Sequence, residues 1–128
     1  MKVAFTSKTG EMIDQHFGMT ESFTIWELGP EDAYPVESIQ VAKNEGDEED
    51  KIAARVALLK DCAIVYTMQI GGPAAAKLVS NKIQPMKTAT EVPIAEIVAK
   101  LQGVLQGNPP PWLRKAMHKE KAQSFAEE

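Results

Sequence analysis

The sequence has very few of the residues that hold permanent metal or disulfide sites. Among its 128 residues there are two histidines and one cysteine, Cys62. A single thiol excludes an internal disulfide, and it excludes a zinc or iron–sulfur site made from several thiolates of one chain. Because Cys62 comes just before the most apolar run of the chain, we interpret it as a small buried residue and not as a ligand.

Long apolar stretches and an excess of positive charge are also missing. No run is long and apolar enough to span a bilayer, and the apolar start of the chain is too short for a secretion signal. The net charge of −4 argues against nucleic acid as the main partner. We therefore expect a cytoplasmic protein that acts on neither nucleic acid nor membranes.

The pattern of apolar residues predicts one α/β domain. Its elements follow the order β-β-β-α-β-α-β-α, with strands at 2–6, 22–28, 36–41, 63–66 and 83–86. The first three strands read as an antiparallel meander, and the last two run parallel, as a continuous apolar run at 63–66 suggests. These rules predict a five-stranded mixed sheet of order 3-2-1-4-5 with helices on both faces.

We assign residues 1–107 to this domain and residues 108–128 to a separate end. Three prolines after Asn108 form a stiff break, and the charged segment beyond it forms a loose helix or stays mobile. The basic residues of this tail read as a solvated face, or as a docking site for an acidic partner. The acidic run at 44–50 reads as a solvated loop whose last carboxylates favour the next helix start, because it lacks the alternation of a calcium loop.

Two loops carry the candidate chemistry. Residues 14–18, Asp-Gln-His-Phe-Gly, follow the first strand, and residues 70–73, Ile-Gly-Gly-Pro, follow the fourth. The first and fourth strands are predicted neighbours whose connections leave in opposite directions, so both loops should open at one edge of the sheet, where α/β proteins bind ligands. His16 can supply a metal ligand; the alternatives are a histidine bonded to the backbone or a plain surface residue.

The remaining candidates surround that histidine. Gly71 and Gly72 let the backbone approach an anion at a helix start, or simply form a tight turn. Phe17 is a core residue or a cofactor wall, Gly18 permits a tight turn, and Met68 is core filler or a soft contact. The glycine loop matches neither a phosphate loop nor a dinucleotide fingerprint.

Catalysis has little support in the sequence. No Ser-His-Asp or Cys-His pairing is suggested, and the first strand, Lys-Val-Ala-Phe-Thr, holds no carboxylate for the metal pair of a nuclease. We therefore expect a binding protein and not an enzyme.

Five segments of the chain resemble the nitrogenase iron–molybdenum cofactor-binding family, and within it the NifX-type members. They are the start Met-Lys-Val-Ala-Phe-Thr and residues 14–18, 61–64, 70–72 and 107–116. The His-Phe-Gly motif and the double glycine mark the wider family, and the Pro-Pro-Pro-Trp-Leu-Arg-Lys run is more specific. The resemblance covers nearly the whole chain. Pro73 departs from it, because many relatives carry a small residue or glycine there.

The resemblance implies a ribonuclease H-like fold without nuclease activity. It implies a carrier for the iron–molybdenum cofactor or its iron–sulfur precursor, with His16 as the candidate metal ligand. Its partners would be the cluster-building enzyme, the nitrogenase assembly scaffold and apo-nitrogenase. The alternative is an interaction protein that stabilises a cofactor-deficient nitrogenase component without binding the cluster. The residues assigned to cofactor binding are His16, Phe17, Gly18, Met68, Gly71 and Gly72.

Overall fold

The computed structural model describes residues 1–43 and 46–117 and has a five-stranded mixed sheet of order β4-β3-β1-β5-β6, with a separate pair β2-β7. The elements are β1 (Lys2–Thr6), β2 (Met12–Ile13), β3 (Ser22–Leu28), β4 (Ala33–Gln40), α1 (Glu48–Leu58), β5 (Ile64–Thr67), α2 (Gly72–Ser80), β6 (Gln84–Lys87), β7 (Val92–Pro93) and α3 (Ile94–Gln106). The α/β class and the mixed five-stranded sheet are confirmed.

The central strand β1 fixes where the two candidate loops begin. It pairs antiparallel with β3 and parallel with β5, so that Phe5 lies opposite Thr24 on one side and Tyr66 on the other. Because β1 and β5 run in the same direction, their last residues, Thr6 and Thr67, lie at the same edge of the sheet. The segments that follow these two residues therefore leave the sheet side by side.

Alternation along β1 divides the core between the two faces of the sheet. Val3 and Phe5 belong to the cluster under α3, which contains Ile94 and Leu101. Ala4 points to the opposite face, into a second cluster that contains residues of α1 and α2. Both faces are thus covered by helices. The predicted burial of Cys62 is confirmed, since it is 3% exposed in the second cluster.

The helix ends follow their predicted signals. The Asp47 side chain accepts a hydrogen bond of 2.9 Å from the amide of Asp50 and so caps the start of α1. This confirms the reading of the last acidic residues in that run, while residues 44 and 45 lie outside the described part. The last helical residue of α3 is Gln106, and Gly107 is its C-cap, as predicted.

Packing continues beyond the predicted break at 108. Residues 111–117 are helical, and Leu113 is 1% exposed in the cluster under α3. Ala116 and Met117 pack against the same cluster. The charged tail at 118–128 lies outside the described residues, so its structure stays a prediction. No helix in the described part of the chain is both long and apolar enough to cross a bilayer.

Candidate functional site

Hydrogen bonds fix the loop after β1 onto the loop after β5. The carbonyl oxygen of Gln15 accepts from the hydroxyls of Thr6 at 2.8 Å and Thr67 at 3.1 Å. It also accepts from the amide of Met68 at 3.1 Å. Two residues further on, the amide of Phe17 donates to the carbonyl oxygen of Gln69 at 2.9 Å. The sequence predicted these loops at one edge of the sheet, and in the structure they are in direct contact.

His16 lies between these bonds with its side chain exposed. Its carbonyl oxygen accepts hydrogen bonds from the amides of Met19 at 3.1 Å and Thr20 at 2.9 Å, which close a turn over the following residues. The imidazole makes no hydrogen bond or ion pair with any residue in the ranges 1–43 and 46–117. The His16 imidazole is therefore not bonded to the backbone of the described residues, and its ring nitrogens are free to bind a metal ion.

A cavity of about 200 Å³ lies directly beside this turn. It is lined by Phe17, Gly18, Glu48, Lys51, Ile52, Arg55, Gly71, Pro73 and Ala74. Phe17 is a core residue as well as a cavity wall, because it is 1% exposed and its ring centroid lies 5.7 Å from that of Phe23. His16 itself is not a lining residue, but it immediately precedes one.

The start of α2 presents unpaired backbone donors at the cavity. Gly71 is the N-cap residue and offers no side-chain cap, while Pro73 in the first turn has no N–H. The amides of Gly72 and Ala74 are therefore the first-turn donors, and the next amide, that of Ala75, already bonds to the carbonyl of Gly71 at 3.0 Å. Such a helix start favours negative charge.

The backbone conformations at positions 18 and 72 do not require glycine. A Cβ at either position would meet nothing within 4 Å, and neither glycine has a positive φ such as that of Gly10, +87°. The predicted tight turn is present at 17–19, closed by the amide of Met19 on the carbonyl oxygen of His16, but its backbone does not require glycine at position 18. Gly18 lines the cavity, so its missing side chain leaves open space there, whereas Gly72 is not a lining residue although both of its chain neighbours are.

The cavity wall that α1 supplies was not predicted from the sequence. Glu48, Lys51, Ile52 and Arg55 recur at the three- and four-residue spacing of one helix face, which was the available signal. The Nη2 of Arg55 donates to the carbonyl oxygen of Thr20 at 3.2 Å. Burial lowers the pKa of the Arg55 guanidinium, and the field of the Glu48 carboxylate partly opposes this shift. An arginine side chain stays charged at neutral pH.

Two residues discussed from the sequence lie away from the cavity. The side chain of Met68 packs against the cluster under α3, on the opposite face of the sheet from the cavity, and only its backbone takes part in the loop contact. Cys62 is buried under α1 and α2. Within the described ranges, no group of three or more His, Cys, Asp or Glu side chains could hold a metal ion.

A second concave surface contains none of the predicted site residues. It is an open groove of about 520 Å³ between residues 7–10 and strands β3 and β4, lined by residues such as Ser22 and Gln40. It is larger than the cavity beside His16. No histidine lines this groove.

Comparisons with known proteins agree on one family. The family model described as "Dinitrogenase iron-molybdenum cofactor" matches residues 1–103. Protein NifX of Herbaspirillum seropedicae is 43% identical over 133 residues, which cover 100% of this chain and 90% of that protein. Protein NifX of Azotobacter vinelandii is 37% identical over 93% of this chain and 76% of its own length.

Two further similarities are more limited in scope. Protein NifY of Azotobacter vinelandii is 40% identical over 117 residues; these cover 91% of this chain but 48% of that protein. The crystal structure of PH0822 superposes with a TM-score of 0.66 at 21% identity, over 88% of this chain and 99% of that chain. At that identity the likeness concerns the fold alone.

Proposed function

Because the chain belongs to the dinitrogenase iron–molybdenum cofactor family, we propose that it is a carrier in nitrogenase cofactor biosynthesis. It binds the iron–molybdenum cofactor, or the iron–sulfur precursor of that cofactor, as a cargo. It receives the cluster from the cluster-building enzyme and passes it to the assembly scaffold or to apo-nitrogenase. It is not an enzyme, since the cargo leaves chemically unchanged. The exposed imidazole of His16 beside the cavity is the observation that carries this proposal.

The imidazole supplies the metal–ligand bond. Neutral imidazole is the commonest protein metal ligand, and the ring of His16 is unbonded within the described ranges. Since one cysteine cannot build or cage an iron–sulfur core, the cluster must arrive already assembled. A ligand atom on an ordered loop suits such a cargo, because the loop is fixed by the carbonyl of Gln15 and the amide of Phe17.

Charge beside the histidine supports an anionic cargo. Lys51 and Arg55 line the cavity, and the start of α2 adds the amide of Ala74. Glu48 is the opposing carboxylate of the same cavity. Two cations and a helix start against one carboxylate leave the cavity positive, in a chain whose net charge is −4.

The small size of the cavity favours release. Its volume of about 200 Å³ is below the roughly 300–1,000 Å³ of sites that enclose a whole small molecule. A metal cluster held here would be enclosed on one side only and bound through one strong ligand. A receiving protein could then reach the exposed side, and the dissociation rate stays compatible with transfer.

The sheet supports the proposed ribonuclease H-like assignment. Three antiparallel strands, β4-β3-β1, are followed by the parallel strands β5 and β6, with helices on both faces. A carrier on this fold uses the loops beyond β1 and β5 for binding. The first strand contains no carboxylate, which is consistent with a function other than hydrolysis.

Anaerobic titration tests the carrier function. Apoprotein is mixed with isolated cofactor or precursor, repurified, and analysed for iron, for molybdenum and by absorption spectrum. We expect His16→Ala to bind at least about tenfold more weakly, as removal of the strongest ligand implies. His118→Ala, which removes the other histidine, serves as the matched control. Wild-type affinity in His16→Ala would refute the ligand assignment, and no uptake by wild type would refute the carrier function.

Trp112 motivates a second candidate function. Its side chain is 37% exposed on the helical segment 111–117, next to the buried Leu113. An exposed tryptophan suits a protein that shields a cofactor-deficient nitrogenase component without binding the cluster. Trp112→Ala separates the two functions better than truncation at residue 109, which would also remove Leu113 from the core. Loss of binding to the nitrogenase component with normal cluster uptake would assign the shielding role to this surface.

A further inference from the structure

Met19 differs from the other methionines of the described ranges in its surroundings. Met12 lies in β2 and is partly buried. Four more pack against the hydrophobic cluster under α3, namely Met1, Met68, Met86 and Met117. Met19 belongs to neither cluster and is 75% exposed, the highest fraction among the exposed large apolar residues of residues 1–43 and 46–117. Methionine usually fills gaps in a core, and Met19 does not have that role.

A hydrogen-bonded turn joins Met19 to His16. The amides of Met19 and Thr20 both donate to the carbonyl oxygen of His16, at 3.1 and 2.9 Å, so residues 16–20 form one helical turn. Side chains three residues apart in such a turn are neighbours, with about 5–6 Å between their Cβ atoms. The imidazole and the thioether therefore lie next to each other on one side of the turn.

The cavity lies on another side of the same turn. Phe17 and Gly18, the two residues between His16 and Met19, line the cavity, whereas His16 and Met19 do not. Thr20 completes the turn and is buried. Within residues 16–20, His16 and Met19 are thus the two exposed side chains, and each has an atom that can bind a metal.

Imidazole nitrogen and thioether sulfur together suit a soft metal centre. Thioether sulfur is a soft donor that favours Cu(I) and the metals of iron–sulfur clusters, and imidazole binds iron, copper and zinc. Hard cations such as Mg²⁺ and Ca²⁺ prefer oxygen ligands, which neither side chain supplies. Within the described ranges, the imidazole makes no hydrogen bond or ion pair that metal binding would have to break.

We propose that His16 and Met19 form a two-donor site for a soft metal, in which the thioether is the second protein ligand. The inference rests on the proposed function in one respect, namely that the metal bound in the cell belongs to the carried cluster. Once His16 holds the metal, the sulfur binds from within the same turn, so its effective concentration is high. A thioether is a weak ligand, as the long axial methionine bond of copper sites illustrates, and release to a receiving protein stays compatible with this second bond.

Silver ion tests the pair without any cluster. Ag⁺ is a soft ion, and it is titrated into apoprotein labelled with ¹³C at the methionine methyl groups. Cys62→Ala is the common background, because a thiol would compete for the ion. We expect the methyl signal of Met19 and the ring signals of His16 to shift together, while the methyl signal of Met86 stays in place. Met19→Leu and His16→Ala should each weaken binding at this site at least about tenfold, because each removes one arm of a chelate.

Two leucine variants make the result specific. Met19→Leu keeps the size and apolar character of the side chain and removes only the sulfur, so it separates metal ligation from apolar contact. Met86→Leu removes a partly buried sulfur from β6 and should leave Ag⁺ affinity unchanged. The same spectra report whether each variant is folded.

X-ray absorption tests the pair on the cluster itself. Protein labelled with selenomethionine is loaded anaerobically with the isolated cluster and measured at the selenium edge. We expect metal neighbours around selenium in the wild type and their loss in Met19→Leu. A loaded wild type without metal neighbours at selenium would overturn the role of Met19 as a ligand of the cluster.

The outcomes separate this inference from the carrier function. An unshifted Met19 methyl signal in the Ag⁺ titration, or wild-type Ag⁺ affinity in Met19→Leu, would overturn the two-donor site. Cluster uptake that persists in such a case, through His16 alone, leaves the carrier function intact. Chelation of Ag⁺ by a protein that takes up no cluster would refute the carrier function and retain the soft-metal site.

Discussion

The amide of Phe17 donates a 2.9 Å hydrogen bond to the carbonyl oxygen of Gln69, and this bond joins the two loops of the candidate site. His16 comes one residue before the donor, and Gly71 comes two residues after the acceptor. The position of the imidazole relative to the start of α2 therefore depends on contacts between loops that are far apart in the sequence. Substitutions in the loop after β5 should therefore alter the conformation or dynamics of the loop that carries His16.

Thr67→Val tests this dependence. The Thr67 hydroxyl lies 3.1 Å from the carbonyl oxygens of both Gln15 and Gln69, and the residue is fully buried. We expect the free energy of unfolding to fall by about 1–2 kcal/mol, because buried polar partners lose a donor. Amide hydrogen exchange at Phe17 should become faster. Thr90→Val, which removes the hydroxyl of an exposed residue, is the control and should change stability by less than about 0.5 kcal/mol. An unchanged exchange rate at Phe17 would show that the Thr67 hydroxyl does not hold the two loops together.

Glycines at the cavity and a glycine in a turn should respond differently to alanine. Gly18→Ala and Gly72→Ala place a Cβ in open space, so we expect stability to be unchanged or raised by up to about 1 kcal/mol. Cluster uptake by both variants should weaken, because the new methyl groups occupy space beside the cavity. In contrast, Gly10→Ala at φ +87° should destabilise the fold by about 1–2 kcal/mol. Urea unfolding and metal analysis measure the two effects, and full uptake by both cavity variants would argue against cargo at this rim.

Leu113→Ala tests whether the segment after the prolines belongs to the core. Leu113 is 1% exposed in the cluster under α3, and truncation of such a residue costs about 2–5 kcal/mol. Trp112→Ala, at a 37% exposed neighbour, should cost clearly less. Thermal and urea unfolding of the two variants give the comparison. Equal, small losses would show that residues 111–117 fold independently of the domain.

Tyr66 should make stability depend on pH in the alkaline range. Burial raises the pKa of Tyr66 from 10.0 to about 12. Below pH 10 both folded and unfolded states keep the phenol proton, and the stabilising effect of burial is complete. Between about pH 10 and 12 the unfolded state ionises first, so the free energy of unfolding falls with rising pH, by as much as about 2 kcal/mol.

Tyr66→Phe isolates that contribution from the titration of lysines. Phenylalanine keeps the stacking on Phe5, whose ring centroid is 5.6 Å away, and lacks the ionising group. Between pH 9.5 and 11.5, the unfolding free energy of wild type should fall relative to that of Tyr66→Phe. A difference that is constant over this interval would show that Tyr66 titrates normally in the folded protein.

Strand positions could be predicted wherever burial alternates or runs continuously. β1 and β3 have the predicted bounds, Lys2–Thr6 and Ser22–Leu28. β4 begins at Ala33, before the predicted start at 36, because this edge strand is mostly exposed and its apolar alternation is weak. β2 and β7 were missed altogether, since two residues each are too few to show a period.

Strand direction and sequence motifs predicted which loops form the site, but not which helix face lines it. Parallel neighbours put the loops of His16 and Gly71 at one edge, and that arrangement is present. Lys51 and Arg55 could not be assigned, because their helical spacing does not say which face of α1 turns toward these loops. Met68 was assigned by nearness in sequence, and its side chain turns to the other face of the sheet. Cofactor binding by the assigned residues stays a prediction until uptake is measured.

The hydroxyls of Thr6 and Thr67 converge on one carbonyl oxygen, that of Gln15, and have a consequence for the speed of loading. The loop that carries the imidazole is ordered during folding, so a cargo finds its ligand atom already in position. Binding then costs little conformational entropy and waits for no loop closure. The time course of loading should accordingly be a single bimolecular phase whose rate rises linearly with cluster concentration.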